Sequence, residues 1–191
     1  MASYGLHLLV AEEYLKLHSI ENPVAFVEGT LAPDNTDDKN STHYSKYNKK
    51  MTYTDMLVNK VDLCKYVQEN KLDSCFKRGE FLHLLTDYVF YTQYLIKLDT
   101  YKAIEHNSID TLNKILYEEY YRVMHWIDNN YHLQYRGLIP NQYNESSSED
   151  MQIFDEHGLR RVVQYIVDID IDRFYDMIKD SKGEFRLDLT F

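Results

Sequence analysis

The chain has 191 residues, enough for one domain whose core is large enough to hold without disulfides. With 21 Lys+Arg against 31 Asp+Glu its formal net charge is -10, which excludes a grip on nucleic acid or anionic lipid through bulk electrostatics; any phosphate it handles needs a local cation. Hydrophobic residues at 44% and aromatics at 14% exclude a disordered chain, and only 6 Gly and 3 Pro leave little material for a turn-rich β-sandwich.

Helical spacing begins with Leu8, Val10, Ala11, Tyr14, Leu15 and Leu17 and predicts a first helix over residues 6–18. Asn22 caps a second, with Pro23 in its first turn; this one is short, ending at Leu31, because Gly29 and Pro33 are expected to break it. Residues 34–50 are almost devoid of aliphatic side chains and read as a long polar surface loop. Periodicity returns with Met56, Leu57, Val61, Leu63, Cys64 and Val67, stops at Asn70, and restarts after Asp73 for a long helix to about Leu98. A further helix fits 109–130, introduced by Ser108 or Asp110. Residues 141–150 read as a mobile loop, 159–179 as the last helix, and 185–191 as an extended tail. The fold class is therefore all-α: a single-domain bundle of five to seven helices spanning 1–191.

The first thirteen residues lack a basic region, and their apolar run stops at Glu12 and Glu13, so no signal peptide is expected. No run approaches the roughly 18 apolar residues of a membrane span. Cys64 and Cys75 form no CxxC pair and read as reduced core thiols. A cytoplasmic protein without integral membrane association is the expectation; the oligomeric state is left open.

Chemistry is concentrated in the first half. His83 and Asp87 stand four apart on the long helix, one turn from each other on one face, where two ligands can converge on a cation. Leu82, Leu84, Leu85, Val89 and Phe90 surround them, so the carboxylate is expected to be buried and to need a compensating partner, for which a metal is one choice. The pair taken alone is better described as a buried helix-helix hydrogen bond, and a metal site needs more ligands. His7 in the first helix, Asp34 closing the Ala-Pro-Asp turn, and His43 after Ser41-Thr42 supply further donors. Singly, each has an ordinary reading: a core histidine, a turn residue and a solvated loop residue.

Taken together, Tyr4-Gly-Leu-His7-Leu-Leu-Val-Ala-Glu-Glu, Phe26-Val-Glu-Gly-Thr-Leu-Ala-Pro-Asp34, Thr42-His43 and Gly79-Glu-Phe-Leu-His83-Leu-Leu-Thr-Asp87 resemble the zinc-dependent phospholipase C superfamily. That superfamily includes the catalytic region of glycosylphosphatidylinositol-specific phospholipase D and is related in fold to P1-type nucleases. The resemblance covers residues 4–95. It implies that Asp34, His43, His83 and Asp87 hold one zinc, and that His7 joins Asp87 at a second ion. The chain departs from the family pattern where Tyr91, Thr92 and Gln93 stand in place of a further His. Its nearest later candidate, His125, is followed by Asp128 and Asn129 rather than by a carboxylate four residues on. Its only Trp, Trp126, is not at the N-terminus. These departures speak against a full three-metal centre.

Three imidazoles and two carboxylates without thiolate suit a divalent metal, zinc first, with iron or manganese as alternatives. Such a centre, with Asp34, His83 and Asp87 in the catalytic role, implies hydrolysis of a small phosphoester or phospholipid-like substrate by a metal-activated water. The alternative is a degenerate relative with a binding or regulatory role. Arg78 and Arg160-Arg161 are candidate substrate cations. An HD-type phosphohydrolase is disfavoured, since no His is followed directly by Asp; GxSxG and Gly-rich phosphate loops are absent.

Overall fold

The structure, a computed structural model, describes residues 3–46, 50–140 and 147–189. Its architecture is all-helical. Helix α1 (Tyr4–Leu17) starts where the Ser3 hydroxyl accepts the Leu6 N–H, and α2 (Pro23–Leu31) where the Asn22 side chain accepts the Ala25 N–H, with Pro23 in its first turn. A 3-10 turn over Ala32–Asp34 follows, then α3 (Lys39–Thr42), α4 (Tyr53–Val58) and α5 (Leu63–Glu69). Helix α6 (Cys75–Val89) continues into a π-helical turn over Phe90–Tyr94 and a 3-10 turn over Leu95–Lys97. The remainder is α7 (Asp99–Ile104), α8 (Ile109–Asn130), a 3-10 turn at Arg136–Leu138, α9 (Glu156–Val167) and α10 (Ile171–Asp180).

There are more segments than the five to seven expected, because local capping divides stretches that periodicity reads as continuous. Asn59 closes α4, and the Asp62 carboxylate accepts the Lys65 N–H to open α5. Asp170 does the same for the Arg173 N–H, so the stretch over 159–179 is two helices. Residues 34–50 are not simply a surface loop. They contain α3, Asp34 and His43 are buried, and residues 47–49 lie outside the described residues. Of the loop expected over 141–150, residues 141–146 also lie outside them. The rest is tied down: the Ser147 N–H donates to the Tyr121 carbonyl, and Arg122 pairs with Glu149 at 2.8 Å. Cys64 and Cys75 are free and half-buried rather than in the core.

Helices α1 and α6 are buried on nearly every side, so they read as apolar all round except at their histidines and carboxylates. Helix α2 packs along α6, while α9 and α8 cover α1, and α10 closes against α5 and α6. Gly29 does not break α2 as expected. It lies inside the helix, and a Cβ there would sit 2.1 Å from the Phe76 carbonyl oxygen of α6. Reciprocally, a Cβ on Gly79 of α6 would lie 2.0 Å from the Phe26 carbonyl oxygen of α2. The two backbones therefore meet at a glycine from each side, closer than any side chain permits.

Two buried carboxylates fasten the outer segments. Glu12 of α1 accepts the N–H groups of Gln134 and Tyr135 at 2.8 and 2.7 Å. Glu119 of α8 accepts those of Gln152, Ile153 and Phe154 at 2.8, 2.7 and 2.9 Å, and its second oxygen meets Arg122 at 3.2 Å. Removing that acceptor orphans three N–H groups around a buried site. Glu119→Ala is expected to cost about 3 kcal/mol in urea unfolding, and Glu119→Gln, which keeps an oxygen there, about 1 kcal/mol.

Candidate metal centre

The close seam between α2 and α6 sets the position of His83. Its Nδ1 lies 2.8 Å from the Thr30 carbonyl oxygen, which can only accept, so Nδ1 carries the proton and Nε2 holds a lone pair. His43 is fixed in the same way. Thr42 Oγ1 donates to the Pro33 carbonyl at 2.8 Å, anchoring the end of α3 to the turn that bears Asp34, and His43 Nδ1 donates to the Lys39 carbonyl at 2.8 Å. Beyond His43 the chain turns away through Tyr44 in the left-handed region (φ 57).

All five predicted residues converge. His7, Asp34, His43, His83 and Asp87 are between 0 and 1% exposed. His43 Nε2 lies 3.0 Å from His83 Nε2, 3.2 Å from Asp87 Oδ2 and 3.6 Å from Asp34 Oδ1. His7 Nε2 lies 3.3 Å from Asp87 Oδ1 and 3.9 Å from Asp34 Oδ2, and its ring stacks on that of His83 at 3.7 Å. Asp87 thus turns one oxygen to each side of the cluster. Two sets of three have donor atoms all within 4.8 Å of one another: His7, His83 and Asp87, and Asp34, His43 and His83.

The hydrogen bonding inside this cluster is incomplete. Neither oxygen of Asp34 and neither ring nitrogen of His7 makes a hydrogen bond with the described residues. With both Nδ1 atoms committed to backbone carbonyls, the Nε2 atoms of His43 and His83 face each other 3.0 Å apart. One proton can bridge that pair, but it leaves the Asp34 carboxylate buried without a donor, an arrangement that native cores avoid. A cation held among Asp34, His43 and His83 gives the two Nε2 atoms and the Asp34 carboxylate a partner, and donors bound to one ion at about 2 Å each lie roughly 3 Å apart. The buried His/Asp cluster can therefore hold a metal ion.

Burial, followed by the neighbouring His7, lowers the pKa of His83 well below its ordinary 6.5. Burial raises that of Asp87, but the imidazoles of His43 and His7 outweigh it and hold the carboxyl well below its ordinary 3.8. Both shifts make metal-free protein acid-sensitive. Below pH 6.5 the unfolded chain protonates His83 while the folded chain does not, and below 3.8 the same holds for Asp87. Urea midpoints in chelator are expected to begin falling near the first value and to steepen past the second; a midpoint flat from pH 7 to 4 contradicts this.

Other predicted residues lie elsewhere. His125 Nε2 accepts from the Asn129 amide at 2.9 Å and Asp128 pairs with Arg136, so neither joins the cluster. Arg78 pairs with Asp172 at 3.0 Å, Arg160 lies over Trp126 and binds the Tyr131 hydroxyl, and Arg161 lines a separate pocket with Tyr94 and Lys97. A cation beside the cluster is one the sequence did not single out: Lys39 Nζ, 3.9 Å from Asp34 Oδ1. Tyr120 was missed as well. Its hydroxyl pKa is pushed well above the usual value, chiefly by burial and Tyr53, then by the charges of Asp87, Tyr117 and Asp34. Its helical register on α8 carries no sign of that proximity.

No protein-family model, no curated protein and no solved structure matches the chain. Among the described residues no helix is long and apolar enough to cross a membrane.

Proposed function

We propose that the chain is a metal-dependent phosphoester hydrolase related to the zinc-dependent phospholipase C group. The observation that carries this reading is the pair of imidazole Nε2 atoms of His43 and His83, 3.0 Å apart, beside a buried Asp34 carboxylate that makes no hydrogen bond with the described residues. Asp34, His43, His83 and Asp87 would hold one divalent ion, zinc first, and His7 with Asp87 would contact a second. When bound, such an ion lowers the pKa of a water toward neutrality and polarises a phosphoryl oxygen. The chain's own contribution is orientation: the Thr30 and Lys39 carbonyls lock the two imidazoles into the tautomer that presents Nε2. The free half-buried Cys64 and Cys75 suit a reducing compartment, in keeping with a cytoplasmic setting.

A second reading is favoured by the complete burial of all five side chains and the absence of His125 from the cluster. It is a degenerate relative whose helices and ligands remain as scaffold and whose role is binding or regulation. Elemental analysis of protein purified without added metal, followed by an assay with bis(4-nitrophenyl) phosphate, separates the two. The hydrolase reading expects retained metal and turnover abolished by chelator. Folded protein without turnover across a phosphoester panel supports the degenerate relative, and absence of metal overturns the hydrolase reading.

A further inference from the structure

A pocket of about 250 Å³ lies among α3, α4 and α8, and Lys39 connects its wall to the cluster. Lys39 is common to both: its side chain forms part of the pocket wall while Nζ sits 3.9 Å from Asp34 Oδ1. Lys60 is the other cation of the wall, and no Asp or Glu lines it among the described residues. In a chain of net charge -10, two lysines without a carboxylate among the described lining residues make this wall locally positive, the charge of Lys39 being shared with Asp34 behind it. The remaining wall is aromatic and aliphatic, with the rings of Tyr53, Tyr117 and Tyr120 and the side chain of Leu57. Tyr53 is held by its hydroxyl, which donates to Asn113 Oδ1 at 2.8 Å, and Tyr117 meets Tyr120 edge-on at 6.2 Å.

We infer that this pocket is the substrate site and that it takes a small phosphate ester of a ring-sized alcohol, its phosphate drawn by Lys39 and Lys60 and its ring seated among the three tyrosines. The inference rests on the hydrolase reading and narrows its substrate. The volume is below the roughly 300–1,000 Å³ of pockets that enclose drug-sized ligands, which disfavours a diacyl phospholipid. Lysine supplies the phosphate contact as a flexible point charge, and tyrosine rings supply a flat apolar wall with polar edges.

The test uses 4-nitrobenzylphosphonate, which carries the charge and ring but has no ester bond to cleave, titrated calorimetrically into metal-loaded full-length protein. Lys39→Gln and Lys60→Gln are each expected to weaken binding about tenfold. Tyr117→Ala, an exposed position that does not threaten folding, is expected to weaken this probe while leaving inorganic phosphate unchanged. Circular dichroism confirms that each variant is folded. No probe binding, or binding indifferent to both lysines, overturns the pocket assignment. Cleavage of phosphatidylcholine vesicles as fast as of 4-nitrophenyl phosphate overturns the substrate class while the hydrolase reading stands. Lysine-dependent probe binding without turnover of any ester supports the pocket and removes the hydrolase reading instead.

Discussion

Gly79→Ala is expected to lower stability by about 3 kcal/mol, roughly 6–12 °C in Tm for a chain of this size, although alanine is the better helix former. At an open helical position the same change gains about 1 kcal/mol, so the sign itself is diagnostic. The added methyl meets the Phe26 carbonyl oxygen at 2.0 Å and the Thr30 nitrogen at 2.8 Å, and both are backbone, so no rotamer change relieves the clash. Helices α2 and α6 must part. Because the Thr30 carbonyl is what orients His83, parting them also slackens the 2.8 Å bond to Nδ1 and with it the facing imidazole pair. Metal affinity is therefore expected to fall along with stability, by tenfold or more. Gly29→Ala, 2.1 Å from the Phe76 carbonyl oxygen, is expected to behave alike. Gly137→Ala, with nothing within 4 Å, is the control and is expected to stay within about 0.5 kcal/mol of the parent. Unchanged melting of Gly79→Ala, measured by calorimetry in chelator, contradicts the close seam.

The same seam shows where sequence pattern informs and where it stops. Apolar spacing locates α1 to within a few residues, and spacing with caps locates α2 and α8, since Asn22 and Ser108 each accept an N–H three residues on. Gly29 reads locally as a helix breaker, because nothing in its neighbours announces a backbone approaching from fifty residues away. Asp62 and Asp170 look like ordinary polar residues inside a periodic run until their carboxylates are seen to restart the helix. The cluster fares differently. Helical geometry puts His83 and Asp87 on one face but leaves a plain hydrogen bond open, whereas His7, Asp34 and His43 have ordinary local readings and become candidates only through their joint order. Their convergence then depends on Thr42 clasping the Pro33 carbonyl and on the glycine seam, neither of which periodicity encodes. Lys39 and Tyr120 carry no local signal at all; one is a polar residue of a short helix, the other one of eighteen tyrosines.

Asp34→Asn is expected to change stability in opposite directions with and without metal. In chelator the buried Asp34 carboxylate makes no hydrogen bond with the described residues and faces the Nε2 atoms of His43 and His7. Replacing it by a neutral amide removes a buried charge that Lys39, 3.9 Å away, offsets only in part, and gives the cluster an N–H donor, so metal-free Asp34→Asn is expected to be more stable by about 1 kcal/mol. At saturating zinc the order reverses. The parent gains about 4 kcal/mol when free metal is a thousand times its Kd, and an amide that binds zinc about 100-fold more weakly forfeits about 2.7 kcal/mol of that. His83→Ala does not discriminate in this way, because it opens a cavity and orphans the Thr30 carbonyl, and it is expected to be destabilising in both conditions. A cluster that is only a hydrogen-bonded core network predicts loss of stability for Asp34→Asn whether or not zinc is present. Paired urea titrations of parent and variant, in chelator and in zinc, decide between an ion site and a polar core by the sign of one difference.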